Sequence, residues 1–197
     1  MKTIRILLWV LVALGVAGMA LLLLRQPVSE TAQSTSVKLG GPFTLTGADG
    51  QTFSSTRLAG KPYAIFFGFT HCPDVCPTTL ARMVKLRRQL GAGSEPFRIV
   101  FVTVDPERDT VAEMRNYLSL FPDPIIGLTG TQARIDHVKR QFGIFSQKVP
   151  DDAGGYTVDH SSGVLLFDRT GAFIATISPE ENDAAALAKL KRIAVAS

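Results

Sequence analysis

The chain opens with a long apolar segment and continues, after a polar stretch, with short apolar runs of two different periods. Nineteen consecutive residues, 6–24, carry no charge. A helix of that length spans roughly 28 Å at about 1.5 Å per residue, close to the hydrocarbon core of a bilayer. Residues 25–40 are rich in Ser, Thr and Gln, which is typical of a flexible tether. The pattern predicts a transmembrane helix at 6–24, a tether at 25–40 and one globular domain at 41–197.

The residues that flank the apolar segment predict its orientation. Lys2 and Arg5 precede it and only Arg25 follows closely, a bias that keeps the N-terminus in the cytoplasm. A cleaved secretory signal is the alternative, but its apolar region usually has about 7–15 residues and leads into a small-residue cleavage site. We therefore expect a cytoplasmic N-terminus at residues 1–5, a single-pass anchor in a bacterial inner membrane, and a domain that faces the periplasm.

In the globular part, the apolar periods predict alternating strands and helices. Continuous apolar runs indicate buried strands, apolar residues at helical spacing indicate helices, and Gly-containing turns join two hairpins. The predicted strands are 43–45, 52–53, 63–69, 98–104, 125–128, 164–167 and 173–177, and the predicted helices are 73–90, 110–120, 131–142 and 183–194. This order predicts an α/β fold with a central mixed sheet flanked by helices. A cysteine pair directly after the first central strand is typical of a thioredoxin-like domain.

The charge of the chain gives no indication of a nucleic-acid partner. The net charge is +4, but four of the 21 basic residues and one of the 17 acidic residues precede Gly41. The remaining 17 basic and 16 acidic residues give the domain a net charge of +1. We therefore expect no nucleic-acid binding.

Both cysteines of the chain, Cys72 and Cys76, lie in one short motif. A structural disulfide between them would close a very short loop and restrain little of the unfolded chain. Pro73 suits the first turn of a helix, which predicts Cys72 at the helix N-terminus and Cys76 one turn later on the same face. Free amides there would lower the pKa of the thiols. Two thiolates can bind Cu(I) or form a disulfide, and the spacing favours neither.

Three histidines could supply a third ligand. His71 precedes the predicted helix, so its ring is expected to point away from the thiols, and His137 is expected on the exposed face of a helix. His160 comes shortly before the buried strand at 164–167. In a thioredoxin-like sheet the loop that enters this strand faces the cysteine turn, so His160 is the predicted third ligand.

Three segments carry a resemblance to a known family. They are residues 69–77 (FTHCPDVCP), 102–110 (VTVDPERDT) and 158–161 (VDHS). In this order they resemble the signature segments of the Sco/SenC family of copper chaperones, and the resemblance extends from about Pro42 to the C-terminal helix. The second segment has an ordinary interpretation as well, a strand end and a turn in which Asp109 caps the next helix, and no catalytic role is expected for it.

The resemblance implies a thioredoxin-like domain that binds copper, as Cu(I) or Cu(II), through Cys72, Cys76 and His160. It implies a role in assembling the binuclear copper centre in subunit II of cytochrome c oxidase, by copper delivery, by reduction of the target's cysteines, or both. A periplasmic copper carrier or a thiol reductant is a further expected partner. Two thiolates and an imidazole suit Cu(I), and Cu(II) could add a water or carboxylate. Asp74 or Asp159 could supply that carboxylate or orient His160.

Three other functions compete with a copper chaperone. A thiol:disulfide oxidoreductase would use Cys72 and Cys76 as a redox pair, but Val158 stands where such an enzyme normally has a cis-proline. A thiol peroxidase would need a threonine at position 73, which is proline. A structural zinc site would lack a fourth strong ligand.

Overall fold

The structure is a computed structural model that describes residues 2–24, 39–91, 95–151 and 154–195. Residues 25–38 of the predicted tether lie outside the described residues. The chain forms two units, Met1–Val37 and Lys38–Ser197. The predicted domain boundary at residue 40/41 stays a prediction.

The described residues of the first unit form one helix, α1, over Lys2–Leu24. Nowhere in the described part of the chain does a helix combine the length and the apolarity that membrane crossing requires. The transmembrane helix at 6–24 is therefore not confirmed and stays a prediction.

The second unit alternates strands and helices as the apolar periods predict. Its helices are α2 Val75–Leu90, α3 Val111–Leu118, α4 Gln132–Gln141 and α5 Asp183–Val195. Its strands are β1 Thr44–Gly47, β2 Thr52–Ser54, β3 Tyr63–Gly68, β4 Arg98–Thr103, β5 Ile126–Thr129, β6 Ser146–Pro150, β7 Tyr156–His160, β8 Val164–Phe167 and β9 Phe173–Ile177. A short 3-10 helix follows β2.

Seven of these strands form one sheet in the order β2-β1-β5-β4-β3-β8-β9. The strands β3, β4 and β5 are parallel, whereas β1 and β8 run antiparallel to their neighbours and both predicted hairpins, β1–β2 and β8–β9, are present. The prediction of a mixed central sheet is confirmed.

The central strand β3 is buried on both faces, which explains its unbroken apolar sequence. Ile65 and Phe67 point into one core, together with residues of α4. Ala64 and Phe66 point into a second core on the opposite face, where α2, α3 and α5 pack. Helices thus cover both faces of the sheet.

The helix α3 begins differently from the prediction. Thr110, not Asp109, is its N-cap, because the Thr110 hydroxyl accepts a hydrogen bond from the Glu113 N–H at 3.3 Å. Asp109 is fully buried and its carboxylate accepts bonds from Thr70 and Thr103. The prediction of an Asp109 cap is wrong, because more distant donors bind this carboxylate.

The strands β6 and β7 were not predicted. They pair antiparallel as a separate two-stranded sheet, from Ser146 opposite His160 to Pro150 opposite Tyr156. His160, which the sequence predicts in a loop, is the last residue of β7. Gly154 and Gly155 between the two strands are the turn signal that could have indicated this hairpin.

Candidate metal centre

The candidate centre lies where the parallel strands β3 and β4 end. Their register runs from Tyr63 opposite Arg98 to Gly68 opposite Thr103, so the segments that follow both strands emerge at one edge of the sheet. The neighbouring β8 is antiparallel to β3, and its first residue therefore lies at the same edge. This edge of an α/β sheet is the usual place for a binding site.

The structure brings the three predicted ligands together. One ligand atom from each of Cys72, Cys76 and His160 lies within 4.8 Å of the other two. The distance from Cys76 Sγ to His160 Nε2 is 3.7 Å, although 84 residues separate them in the chain. Cys72 and His160 are half-buried, and Cys76 is fully buried.

The cysteines are not arranged as two neighbours on one helix face. The helix α2 begins at Val75 with Asp74 at its N-cap, so Cys72 lies in the preceding turn, where its N–H donates to the Phe69 carbonyl at 3.2 Å. Pro77, rather than Pro73, occupies the first turn of the helix, where a residue without an N–H is tolerated. The predicted helix start is therefore wrong, and the loop brings the Cys72 thiol close to Cys76.

The burial of Cys76 depends on Gly68 at the end of β3. A Cβ atom on residue 68 would lie 2.7 Å from Cys76 Sγ and 2.9 Å from Phe101 Cε2. Such distances are shorter than van der Waals contact, so only glycine lets the thiol approach the strand this closely. Gly68 is not among the predicted site residues, although a glycine inside an apolar strand is a signal of close approach.

The thiol of Cys76 is stabilised in its protonated form. Burial raises its pKa above the ordinary value, and a hydrogen bond from the Phe69 backbone opposes this effect only in part. The predicted lowering of the pKa is therefore wrong for Cys76, because desolvation of the thiolate outweighs the hydrogen bond from the Phe69 backbone.

The ring of His160 is held in one orientation. Its Nδ1–H donates to the Ser161 carbonyl at 2.9 Å, because a carbonyl can only accept. The lone pair of a neutral ring is then on Nε2, which faces Cys76 Sγ. Phe66 and Phe69 contact the ring edge to face, with centroid distances of 6.1 and 5.8 Å. An imidazole fixed through its other nitrogen is the usual arrangement of a metal ligand.

The other predicted candidates lie outside the three-residue group. His137 is exposed on α4. His71 is exposed as well, and its Nδ1 lies 3.0 Å from the Thr70 hydroxyl. Asp74 accepts a bond from the Thr78 hydroxyl at 3.2 Å, and Asp159 is exposed on β7. His160 is oriented by the Ser161 carbonyl rather than by either carboxylate.

The donor set of the centre fits a soft metal ion. A three-coordinate ion with bond lengths of about 2.0–2.3 Å holds its ligand atoms about 3.5–4 Å apart. The three atoms within 4.8 Å of one another need only a small contraction to reach that separation. Two thiolates and one imidazole favour Cu(I) over Mg²⁺ or Ca²⁺, which prefer oxygen ligands.

Comparison with known proteins identifies the family. The family model described as SCO1/SenC matches residues 31–195. This chain belongs to the SCO1/SenC family. A relative in this family, the SCO2-like protein RC0895 of Rickettsia conorii, is 37% identical over 181 residues, which cover 88% of each chain. The resemblance found in the sequence is thus confirmed.

Solved structures of Sco proteins share the fold. The structure of Bradyrhizobium japonicum ScoI with copper bound superimposes with a TM-score of 0.71 at 42% identity and covers 79% of this chain and 99% of its own. BsSco is described as a member of the Sco family of cytochrome c oxidase assembly proteins, in which a disulfide switch was identified. It aligns with a TM-score of 0.64 at 26% identity, over 81% of this chain and 96% of its own. The predicted thioredoxin-like fold is confirmed.

Proposed function

We propose that this Sco protein binds copper through Cys72, Cys76 and His160 and delivers it to the binuclear copper centre in subunit II of cytochrome c oxidase. The observation that carries the proposal is the convergence of two thiols and one imidazole within 4.8 Å. A relative that is 42% identical was solved with copper bound, and a more distant one is described as a member of a family of oxidase assembly proteins.

The exposure of the three ligands suggests how copper enters and leaves. Binding of Cu(I) by both thiols releases their two protons, since the thiolate is the ligand. Cys72 and His160 are half-buried and Cys76 is fully buried. An incoming ligand from subunit II would therefore displace Cys72 or His160 first, and Cys76 would release the ion last. A periplasmic copper carrier would load the site by the reverse exchange.

The decisive experiment is a copper titration of five variants of residues 41–197, with the wild-type domain as reference. Cys72→Ala and Cys76→Ala each remove an anionic soft ligand and should nearly abolish binding. His160→Ala leaves both thiolates, so Cu(I) binding should weaken and Cu(II) binding should weaken more, because imidazole suits the oxidised ion. His71→Ala and His137→Ala serve as controls and should bind both ions normally.

A thiol:disulfide oxidoreductase is the second candidate function. It is favoured by the unequal exposure of the two thiols, since Cys72 could attack a target disulfide and the buried Cys76 could then resolve the mixed disulfide. The two electrons given to the target would leave a Cys72–Cys76 disulfide, which a periplasmic thiol reductant would have to reduce. A His160→Ala protein that binds copper normally but no longer reduces a target disulfide would exclude the chaperone function and favour this one.

We also propose that residues 6–24 anchor the protein in a bacterial inner membrane with the domain in the periplasm. The support is the uncharged run of nineteen residues in the sequence and the basic residues that precede it.

A further inference from the structure

The turn at residues 105–110 follows β4 and contacts two segments, the loop that carries the cysteines and the strand that carries His160. On one side, the fully buried carboxylate of Asp109 accepts three hydrogen bonds. The donors are the Thr70 N–H at 3.0 Å, the Thr70 hydroxyl at 2.7 Å and the Thr103 hydroxyl at 2.6 Å. Thr70 lies two residues before Cys72. Asp109 therefore fixes the cysteine loop to the end of β4, and we refer to these bonds as the cysteine arm.

On the other side, the same turn holds the strand that carries His160. The Tyr156 hydroxyl donates to Asp105 Oδ1 at 3.0 Å. Arg108 forms an ion pair with Asp105, donates from Nη1 to the Tyr156 carbonyl at 2.9 Å, and lies over the Tyr156 ring with its guanidinium carbon 3.8 Å from the centroid. Tyr156 is the first residue of β7 and His160 is the last. We refer to these contacts as the histidine arm.

Capping of the following helix does not account for these two carboxylates. Asp105 and Asp109 are both fully buried, and burial of a carboxylate is costly unless the group is paired or hydrogen-bonded. Thr110 already caps α3, so the helix needs neither carboxylate side chain for its cap. Each carboxylate has one partner nearby in the chain, Arg108 for Asp105 and Thr103 for Asp109. Each also has a distant partner, Thr70 on the cysteine loop at 39 residues from Asp109 and Tyr156 on β7 at 51 residues from Asp105. The cost of burial is thus offset by bonds that connect the two ligand-bearing segments.

We propose that Asp105, Arg108 and Asp109 are positioning residues that set the separation between the thiols and the His160 imidazole. The β6–β7 hairpin forms a sheet of its own and is not hydrogen-bonded into the seven-stranded sheet, so its position depends on contacts such as the histidine arm. This positioning role rests on the proposed copper function, because two of its tests measure copper affinity. Loss of one arm should change the position of the ligand on that arm and leave the other ligand in place.

The first test removes one hydroxyl from the histidine arm. Tyr156→Phe keeps the ring beneath Arg108 but deletes the donor to Asp105, and the Cu(II) affinity should fall about ten-fold, as for other residues that orient a metal ligand. Tyr63→Phe is the matched control, since Tyr63 begins β3 and the centre lies beyond the other end of that strand. In a His160→Ala background, Tyr156→Phe should cause no further loss, because the residue acts through His160.

The second test removes one hydroxyl from the cysteine arm. Thr70→Val is close to isosteric and keeps the Thr70 N–H bond to Asp109, which preserves the backbone. The Cu(I) affinity should fall about ten-fold both with and without His160, because this arm acts on the thiols. In the His160→Ala background, Tyr156→Phe should therefore leave the copper affinity unchanged, whereas Thr70→Val should lower it. A general loss of stability would not produce this difference.

A measurement without copper separates this proposal from the proposed function. Nitrogen NMR of the metal-free wild-type domain should show His160 protonated on Nδ1, as its bond to the Ser161 carbonyl requires. Tyr156→Phe should broaden these ring signals or mix the two tautomers, and Tyr63→Phe should not. If the wild-type domain binds no copper but the ring signals respond in this way, the copper function fails and the positioning role stands. If Tyr156→Phe behaves like Tyr63→Phe, or loses affinity equally with and without His160, the positioning role is wrong.

Discussion

Cys76 packs closely against Gly68 at the candidate centre. The thiol fills the space in which any other residue at position 68 would place its Cβ, 2.7 Å from the sulfur. The position of one ligand therefore depends on the absence of a side chain on the neighbouring strand.

Gly68→Ala should displace Cys76 and destabilise the domain by about 1–3 kcal/mol, the usual cost of overpacking a core. Copper affinity should fall as well, because the sulfur has to move. Urea unfolding and a copper titration measure the two effects. Gly130→Ala is the control. Its Cβ would lie 3.2 Å from its nearest neighbour, Leu45 Cδ2, a longer distance than the 2.7 Å at position 68. Normal copper binding by a folded Gly68→Ala protein would contradict this account of the packing.

The proximity of the two thiols leads to a prediction about redox state. Cys72 and Cys76 lie within the same 4.8 Å group as free thiols, so a mild oxidant should join them as a disulfide. The disulfide form should not bind copper, because its sulfurs are no longer thiolates. The oxidised protein, verified by mass, is titrated with Cu(I) beside the reduced protein. Equal uptake by both forms would show that the thiolates are not the ligands.

At the scale of elements, the strands bring the ligand-bearing segments to one edge of the sheet. The strands β3 and β4 are parallel and end together, whereas α2 begins only at Val75. The sequence between them contains two prolines, Pro73 and Pro77, and either one could occupy the first turn of a helix. The choice between them depends on the turn that joins Cys72 to the Phe69 carbonyl.

The other end of β3 gives a prediction about pH. Tyr63 is buried and stacks on Phe167 with ring centroids 4.8 Å apart. Burial, with a smaller effect of the Asp168 charge, raises the pKa of Tyr63 to about 12, above the ordinary value of about 10. Between these two values the folded state binds more protons than the unfolded state. The stabilisation is therefore complete below about pH 10 and is lost as the pH rises through about 12.

Tyr63→Phe should reduce the loss of folding stability at alkaline pH. The free energy of unfolding, measured in urea at several pH values from 8 to 11.5, should decrease less steeply with pH in the variant than in the wild-type domain. Cys76 and Tyr117, whose pKa values are also raised by burial, are present in both proteins and cancel in the comparison. Identical slopes would mean that Tyr63 does not titrate abnormally in the fold.

At the scale of the whole molecule, the family model matches the domain and does not extend to the N-terminal helix. The matched residues, 31–195, begin after α1. The copper function and the membrane anchor are therefore independent proposals, and each needs its own experiment.

The anchor proposal is tested with reporter fusions after Ser197. A reporter enzyme that is active only outside the cytoplasm should be active there, because residues 6–24 are expected to cross the membrane with the basic flank inside. The control is the same fusion without residues 2–24, which should be inactive. Full activity of a cytoplasm-only reporter at Ser197 would contradict the proposed location.

The sequence by itself determined the elements of this protein apart from β6 and β7, and it determined the residue types of its centre. Strands such as β3 and helices such as α4 could be predicted because the spacing of apolar residues is a property of residues that are close together in the sequence. The two cysteines and His160 could be named because their spacing and position relative to the strands fit soft-metal chemistry. A resemblance in three short segments was enough to indicate the family.

Only the tertiary structure decided how these residues meet. The contacts between Thr70 and Asp109, Tyr156 and Asp105, and Cys76 and His160 span 39, 51 and 84 residues. Local periodicity carries no information about such pairs. Asp109 could therefore be mistaken for a helix cap, because a carboxylate binds whichever donors the fold brings to it. The pKa of Cys76 is likewise raised rather than lowered, because burial depends on how the distant parts of the chain pack around the thiol, and it outweighs the hydrogen bond from the Phe69 backbone.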